Sequence, residues 1–412
     1  MTRSVSDSDS VRRQNRGLIL GALRAGGPQS RTALAARTGL SHASVTAIMQ
    51  DLLAQGLVEE MPAAERGDGR TRGRPAILVG FQRKAAYVAL FEIDVNKARL
   101  SLVDYAGILV DRIETEVTPT TFRQTAPDVF LLEKLALLRE RTPKASGALR
   151  RVAISVQGIL DRDGGGLKWS PIQGLAGSPF ASALEAHIGL PVSLHKRGRL
   201  LAEGTRWLDP DLLDASVATV FLGSTVAMGM SLHGQITGRG DEGATEFGHM
   251  NHVPNGALCR CGMRGCIEAY AADYGVLRTA YSVPETASPA PAVPAQQYES
   301  LIQRAEAGER TATHGFNLAG RAIGYGLARM LAMFDPSHIL IVGPGARALN
   351  LMRPEIETAL GASLIVKING MPRIMAHLDE KEPIFRGLMM KTLSDIDQNE
   401  FAGLASAVRA AG

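Results

Sequence analysis

Apolar positions at the start of the chain follow a helical period: Val11, Leu18, Ile19, Ala22 and Leu23 fall on one stripe. Gly26-Gly27-Pro28 ends that helix, and Ser30 is placed to cap the next. The stretch Arg31-Thr-Ala33-Leu34-Ala35-Ala36-Arg-Thr-Gly39-Leu40-Ser41 predicts helix, tight turn, helix. Ala35 is small where two helices cross, and Gly39 supplies the backbone freedom of the turn. Ser41 caps a third helix whose buried stripe is Val45, Ile48, Met49, Leu52 and Leu53. His42, Ala43, Ser44, Thr46 and Ala47 are left toward solvent at its start. Leu57–Glu60 reads as a short strand and Ala76–Val79 as its return, with a tip rich in glycine and arginine between them. Helices closed by such a pair of strands predict a winged helix-turn-helix over residues 1–81.

From Ala86 the pattern changes. Val88 to Gly107 reads as two strands joined by a turn, and Arg151–Gly158, Val217–Gly223 and Ile339–Gly345 are further apolar strands. Helical patterns such as Leu318–Phe334 lie between them, which predicts an α/β body over residues 82–412. Pro284–Pro294 holds four prolines and reads as an exposed loop. No run of 18 apolar residues exists, so no membrane span is expected. The polar first 15 residues carry no export signal, so a cytoplasmic protein is expected.

Hydrophobic residues make up 45% and charged residues 21% of the 412, an ordinary soluble composition for two or three domains. The charge is unevenly placed. Residues 1–80 hold eleven arginines, no lysine and seven acids, so the net +4 lies entirely there and the other 332 residues are neutral. A basic small end on a neutral body points to a nucleic-acid module attached to something else. Small polar side chains at the start of the third helix suit a major-groove reader. Arg31, Ser41, His42, Ser44 and Thr46 are the candidates there. Arg70, Arg72 and Arg74 on the wing would reach phosphates or the minor groove.

All three cysteines stand together, as Cys259-Arg-Cys261-Gly-Met-Arg-Gly-Cys266-Ile-Glu268. His249 lies ten residues upstream of Cys259 in Glu246-Phe-Gly-His249. A Cys3His set suits a closed tetrahedral zinc site, and thiols this close together do not read as a disulfide framework. Gly262 and Gly265 allow the backbone to fold tightly around the metal.

This layout resembles the ROK family of repressors and sugar kinases, whose body has the two-lobed actin-like ATPase fold. The resemblance rests most on Glu246-x-Gly-His249 followed by Cys259-x-Cys261-Gly-x-x-Gly-Cys266-x-Glu268. It implies that His249, Cys259, Cys261 and Cys266 hold a structural zinc. It implies further that Glu246, His249 and Glu268 line a sugar site beside it. Lobe one would span about 82–200 with a C-terminal helix 390–412, and lobe two about 201–389.

Where family members that phosphorylate sugars carry an Asp-x-Gly-Gly-Thr phosphate turn, this chain reads Glu92-Ile93-Asp94-Val95-Asn96. A carboxylate there repels phosphate. The second phosphate turn reads Gly223-Ser224-Thr225-Val226-Ala227 and keeps one glycine; the third reads Gly343-Pro344-Gly345. The family's catalytic Asn-Asp becomes Leu194-His195, so His195 stands at the position of the catalytic aspartate. Phosphoryl transfer is nearly all positioning and electrostatics, and those parts are missing. No catalytic residue, no enzyme activity and no ATP binding are therefore expected. Lys196, Arg197 and Arg199 beside the presumed pocket either suit an acidic or phosphorylated ligand or form a solvated basic run.

The resulting expectation is a DNA-binding regulator, a repressor of carbohydrate-related genes, acting as a homodimer or tetramer on an inverted repeat and released by a small sugar-like effector. Two alternatives stay open: a bifunctional sugar kinase with a DNA-binding end, and a ligand-independent DNA-binding protein whose body is a dimerisation scaffold.

Overall fold

A computed structural model describes residues 3–62, 77–237 and 246–401. The N-terminal module has three helices, α1 (Arg3–Gly26), α2 (Arg31–Thr38) and α3 (His42–Ala54). Both sequence-predicted caps form. Ser30 Oγ accepts the Ala33 N–H at 3.2 Å and Ser41 Oγ accepts the Ser44 N–H at 3.1 Å. Gly39 ends α2 at φ 69°, in the left-handed region. Val45, Ile48, Met49 and Leu52 are buried with Ile19, Leu23 and Leu34, while Leu53 is only half-buried. The wing strands are Val58–Met61 and Leu78–Phe81, antiparallel with Val58 opposite Phe81. The return strand thus runs two residues beyond the expected Ala76–Val79, and its end, Phe81, is the ring that the body receives.

The body carries two five-stranded sheets. In the first the order is Val192–Lys196, Leu149–Val156, Tyr87–Ile93, Lys97–Asp104, Leu109–Glu116; its first three strands run parallel and the last two antiparallel. The second places Val217–Leu222 at its centre, between Val226–Leu232 and the parallel strand His338–Val342. Every residue of Val217–Leu222 is buried, as a strand covered on both faces requires.

Two helices cross between the sheets: α4 (Arg197–Thr205) and α5 (Lys381–Asp395). They touch backbone to backbone. A Cβ on Gly204 would lie 1.8 Å from the Pro383 carbonyl oxygen, and one on Gly387 2.0 Å from that of Leu200. The helix that returns to the first sheet begins at Lys381 rather than near 390, and residues 402–412 of the expected 390–412 lie outside the described residues.

The chain after α5 also fastens the winged helix to the body. Arg24, near the end of α1, donates from Nε and Nη2 to the Asp397 carboxylate at 2.9–3.0 Å and from Nη1 to the Tyr105 carbonyl at 2.9 Å. Tyr105 donates its hydroxyl to Asp397 at 2.6 Å. The Arg24 guanidinium lies over the Phe81 and Tyr105 rings at 4.3 and 4.9 Å. Arg24 and Asp397 are 4% and 6% exposed, so the pair is a buried joint rather than a surface bridge. Among the described residues no helix is long and apolar enough to cross a membrane.

Candidate metal centre and ligand cleft

The cysteine-rich segment folds as a compact knuckle. The Cys259 N–H donates to the Met263 carbonyl at 2.9 Å and the Gly262 N–H to the Cys259 carbonyl at 3.0 Å. Gly262 and Gly265 sit at φ 86° and 82°, and a Cβ on Gly265 would collide with the Val253 carbonyl at 1.7 Å. This turn brings the ligand atoms of His249, Cys259, Cys261 and Cys266 within 4.8 Å of one another. His249 Nδ1 is 3.7 Å from Cys259 Sγ, and the Cys261 and Cys266 sulfurs are also 3.7 Å apart. A tetrahedron with metal–sulfur bonds of roughly 2.3 Å has edges of about 3.7 Å, so the spacing fits a zinc-sized ion. Hydrogen bonding within the thiol cluster pushes Cys261 far below the usual thiol range and Cys266 far above it.

Neighbours brace the knuckle. The Tyr274 hydroxyl donates to Cys259 Sγ at 3.5 Å and to Glu268 Oε1 at 3.3 Å. Glu268 Oε2 accepts the Val226 N–H at 3.1 Å. Burial, reinforced by Cys259, pushes the Glu268 carboxyl up to about 7. Arg260, between the first two cysteines, donates to the Ser224 carbonyl at 2.5 Å and lies over the Tyr274 ring at 4.2 Å. The knuckle is thereby tied to the turn that follows Val217–Leu222.

Glu246, His249 and Glu268 line one cavity between the two sheets, together with Gln157, Trp169 and Lys196. The Trp169 ring meets His249 edge-on, centroids 5.6 Å apart. Lys196 Nζ pairs with Glu246 Oε1 at 2.5 Å. The neighbouring Arg197 pairs with different acids. Its guanidinium donates to Asp94 Oδ2 at 2.9 Å, lies 3.7 Å from Glu380 and covers the Phe221 ring at 4.4 Å. Burial works against the Asp94 charge, but Arg197 and the Val95 N–H outweigh it and hold the carboxyl below its ordinary range. His195 lies inside the strand Val192–Lys196, 3% exposed, with Nε2 2.9 Å from Ser193 Oγ.

The ROK family profile matches residues 90–384, most of the body. The chain belongs to the ROK family. A MarR family profile matches residues 14–71 at its N-terminal end. The DNA-binding transcriptional repressor Mlc of Escherichia coli K12 is 27% identical over 360 residues, covering 85% of this chain and 86% of Mlc. The xylose repressor of Bacillus subtilis is 23% identical over 369 residues, 87% of this chain and 91% of that protein. In fold, the chain is similar to the crystal structure of a ROK family transcriptional regulator homologous to Mlc, with TM-score 0.72, 19% identity, and coverage of 95% and 98%.

Within the ROK body, Arg197 is bonded to Asp94, in the stretch where the resemblance expects the first phosphate turn. The sequence did not reveal this pairing, because Asp94, Arg197 and Glu380 come from three distant segments. Tyr274 as a brace of the knuckle, and the Arg24–Tyr105–Asp397 joint, carried no sequence signal. On the winged helix, His42 is exposed and Ser44 and Thr46 are half-buried. Ser41 is exposed, but its hydroxyl is engaged by the Ser44 N–H and lies 2.9 Å from Ser44 Oγ. Arg31 pairs with Glu60 of the wing strand at 2.8 Å. Arg70, Arg72 and Arg74 lie outside the described residues.

Proposed function

We propose that this ROK protein is a DNA-binding transcriptional repressor of carbohydrate-related genes, switched by a small sugar-like effector and devoid of phosphoryl transfer. One observation carries the choice between regulator and kinase: Arg197 bound to Asp94 and Glu380 at the former phosphate turn. A fixed internal cation there pairs with Asp94, a carboxylate standing where a kinase brings backbone amides to phosphate. The repressor names of the similar proteins support the same reading, and the xylose repressor supports a sugar as the effector class.

In this reading α3 enters the major groove, with His42 and Thr46 toward the bases, Ser41 and Ser44 at the helix start, and Arg31, Arg70, Arg72 and Arg74 against the backbone or the minor groove. A homodimer reads an inverted repeat from the cytoplasm. His249, Cys259, Cys261 and Cys266 hold a structural zinc, which fixes the loop that presents Glu246, His249 and Glu268 to the sugar. Effector in the cavity biases the angle of α4 against α5, and the Arg24–Asp397 joint passes that bias to α1. Such coupling requires different effector affinity for the two arrangements.

The test is fluorescence anisotropy of the full chain on labelled DNA from upstream of its own gene, with competitor DNA and a panel of sugars, sugar phosphates and sugar acids. Competitor-resistant binding released by one class of compound is expected, with no ATP turnover in its presence. Sugar-dependent ATP turnover would overturn the reading in favour of a kinase.

A further inference from the structure

The segment Pro284–Pro294 reads from sequence as an exposed loop, yet in the fold one edge of it is fastened. Prolines at 284, 289, 291 and 294 remove four backbone donors, so the segment cannot hold itself by a ladder of its own N–H groups. Its carbonyls are held from outside instead. The Leu258 N–H donates to the Glu285 carbonyl at 2.8 Å, and Arg278 Nη2 donates to the Ala287 carbonyl at 3.2 Å. Arg260 donates to the Ala290 carbonyl twice, from Nε at 2.9 Å and from Nη2 at 2.7 Å. Two charge-assisted bonds on one carbonyl make this the strongest of the three anchors.

Arg260 is itself fixed by the knuckle. It stands between Cys259 and Cys261, so a metal that binds both thiolates pins its backbone on either side. Its Nη1 donates to the Ser224 carbonyl, its guanidinium lies over the Tyr274 ring, and Asp273 Oδ1 is 3.8 Å from Nη2. The side chain is 10% exposed, so water offers little substitute for these bonds. What the strap borders is a second cavity. Pro289, Pro291 and Val293 line a space of about 1190 Å³ on the phosphate side of the cleft, together with Asp94, Gly223 and Pro344. Glu246 and Glu268 line a different cavity, so the strap bounds a compartment that the effector reading leaves unused.

Resting on the reading of the knuckle as a zinc site, we propose that Arg260 is a metal-positioned latch. It holds the strap 284–294 shut along the phosphate-side cavity, and loss of either the arginine or the metal opens the strap. Without the metal, the backbone on both sides of Arg260 is released and its fork is no longer aimed at Ala290. Without the fork, the strap keeps its anchors at Glu285 and Ala287 and swings away beyond them. The knuckle thus serves both compartments of the cleft: it presents Glu246, His249 and Glu268 to one and closes the other.

The experiment is limited proteolysis of the full chain by elastase, which cuts after small residues. Cleavage of the Ala292–Val293 bond is read by mass spectrometry, beside zinc content and melting temperature. A protease must take over the backbone around the bond it cuts, and that backbone includes the latched Ala290. Cleavage there should be about ten-fold faster or more in Arg260→Met with its zinc retained, and chelation of zinc from the unaltered chain should do the same. Arg264 belongs to the same knuckle, but its Nε donates to the Gly256 carbonyl at 2.9 Å, so Arg264→Met should stay at the starting rate. Arg260→Lys keeps the charge without the fork and should fall between; it decides the matter if Arg260→Met lowers the melting temperature. An unchanged rate in both Arg260 variants, an equal rise in Arg264→Met, or cuts spread over the whole body would overturn the latch. Chelation that strips the metal without speeding the cut would overturn its positioning by metal. A purified chain without zinc would overturn the zinc reading and the metal half of the proposal, while the Arg260 variants would still judge the arginine.

Discussion

The cysteine knuckle and the former phosphate turns lie on opposite sides of the same cleft, and they have fared differently. The knuckle brings the ligand atoms of His249, Cys259, Cys261 and Cys266 within 4.8 Å of one another. On the other side, where the resemblance expects a glycine-bearing phosphate turn, the chain has Glu92–Asn96, and Arg197 bonds to Asp94 there at 2.9 Å. The difference separates what holding a ligand requires from what transferring a phosphoryl group requires. Holding a ligand requires a rigid loop with hydrogen-bonding side chains. Transferring a phosphoryl group requires backbone amides from several turns at once.

The largest effect should come from breaking the knuckle. Cys261→Ser is expected to lose the metal and to lower the melting temperature by roughly 5 °C or more, the shift that about 3 kcal/mol produces in a body of this size. Metal content and calorimetry on the same sample check it. One zinc per chain at unchanged stability would show that the four residues are not the ligand set.

A smaller loss is expected on the other side. Arg197→Met removes one partner of a largely buried pair, leaving Asp94 and Glu380 without it, and should destabilise by about 2 kcal/mol. It should not create ATP turnover, because the glycines stay absent. Turnover in this variant would mean that the arginine alone silences a kinase, and the contrast between the two sides would fail. The smallest effect concerns the wing, remote from both. Arg72→Ala should weaken DNA binding and reduce the slope of log affinity against log salt by about one. An unchanged slope would remove Arg72 from the interface.

What the sequence made legible was local. Ser30 and Ser41 announced their helices because a cap is decided within three residues. The knuckle was legible because its ligands and its two left-handed glycines lie within 18 positions, Cys266 being 17 after His249. Arg197 was visible only as part of a basic run, since its meaning depends on Asp94 and Glu380, brought to it by the body's two sheets. The start of α5 at Lys381 was hidden because its stripe includes Gly387, where backbone contact with α4 replaces an apolar side chain. Arg24 offered nothing at all; an arginine near a helix end reads as solvated until a buried carboxylate arrives from the far end of the chain.

Arg24 and Asp397 are separated by 373 residues. On the ribosome, at roughly 5–20 residues per second, the first waits between about 20 s and more than a minute for the second. For that interval the newborn α1 has emerged while the anchor that would tie it to the cleft is not yet made. A chain interrupted before Asp397 thus carries its winged helix without this buried mooring to the body.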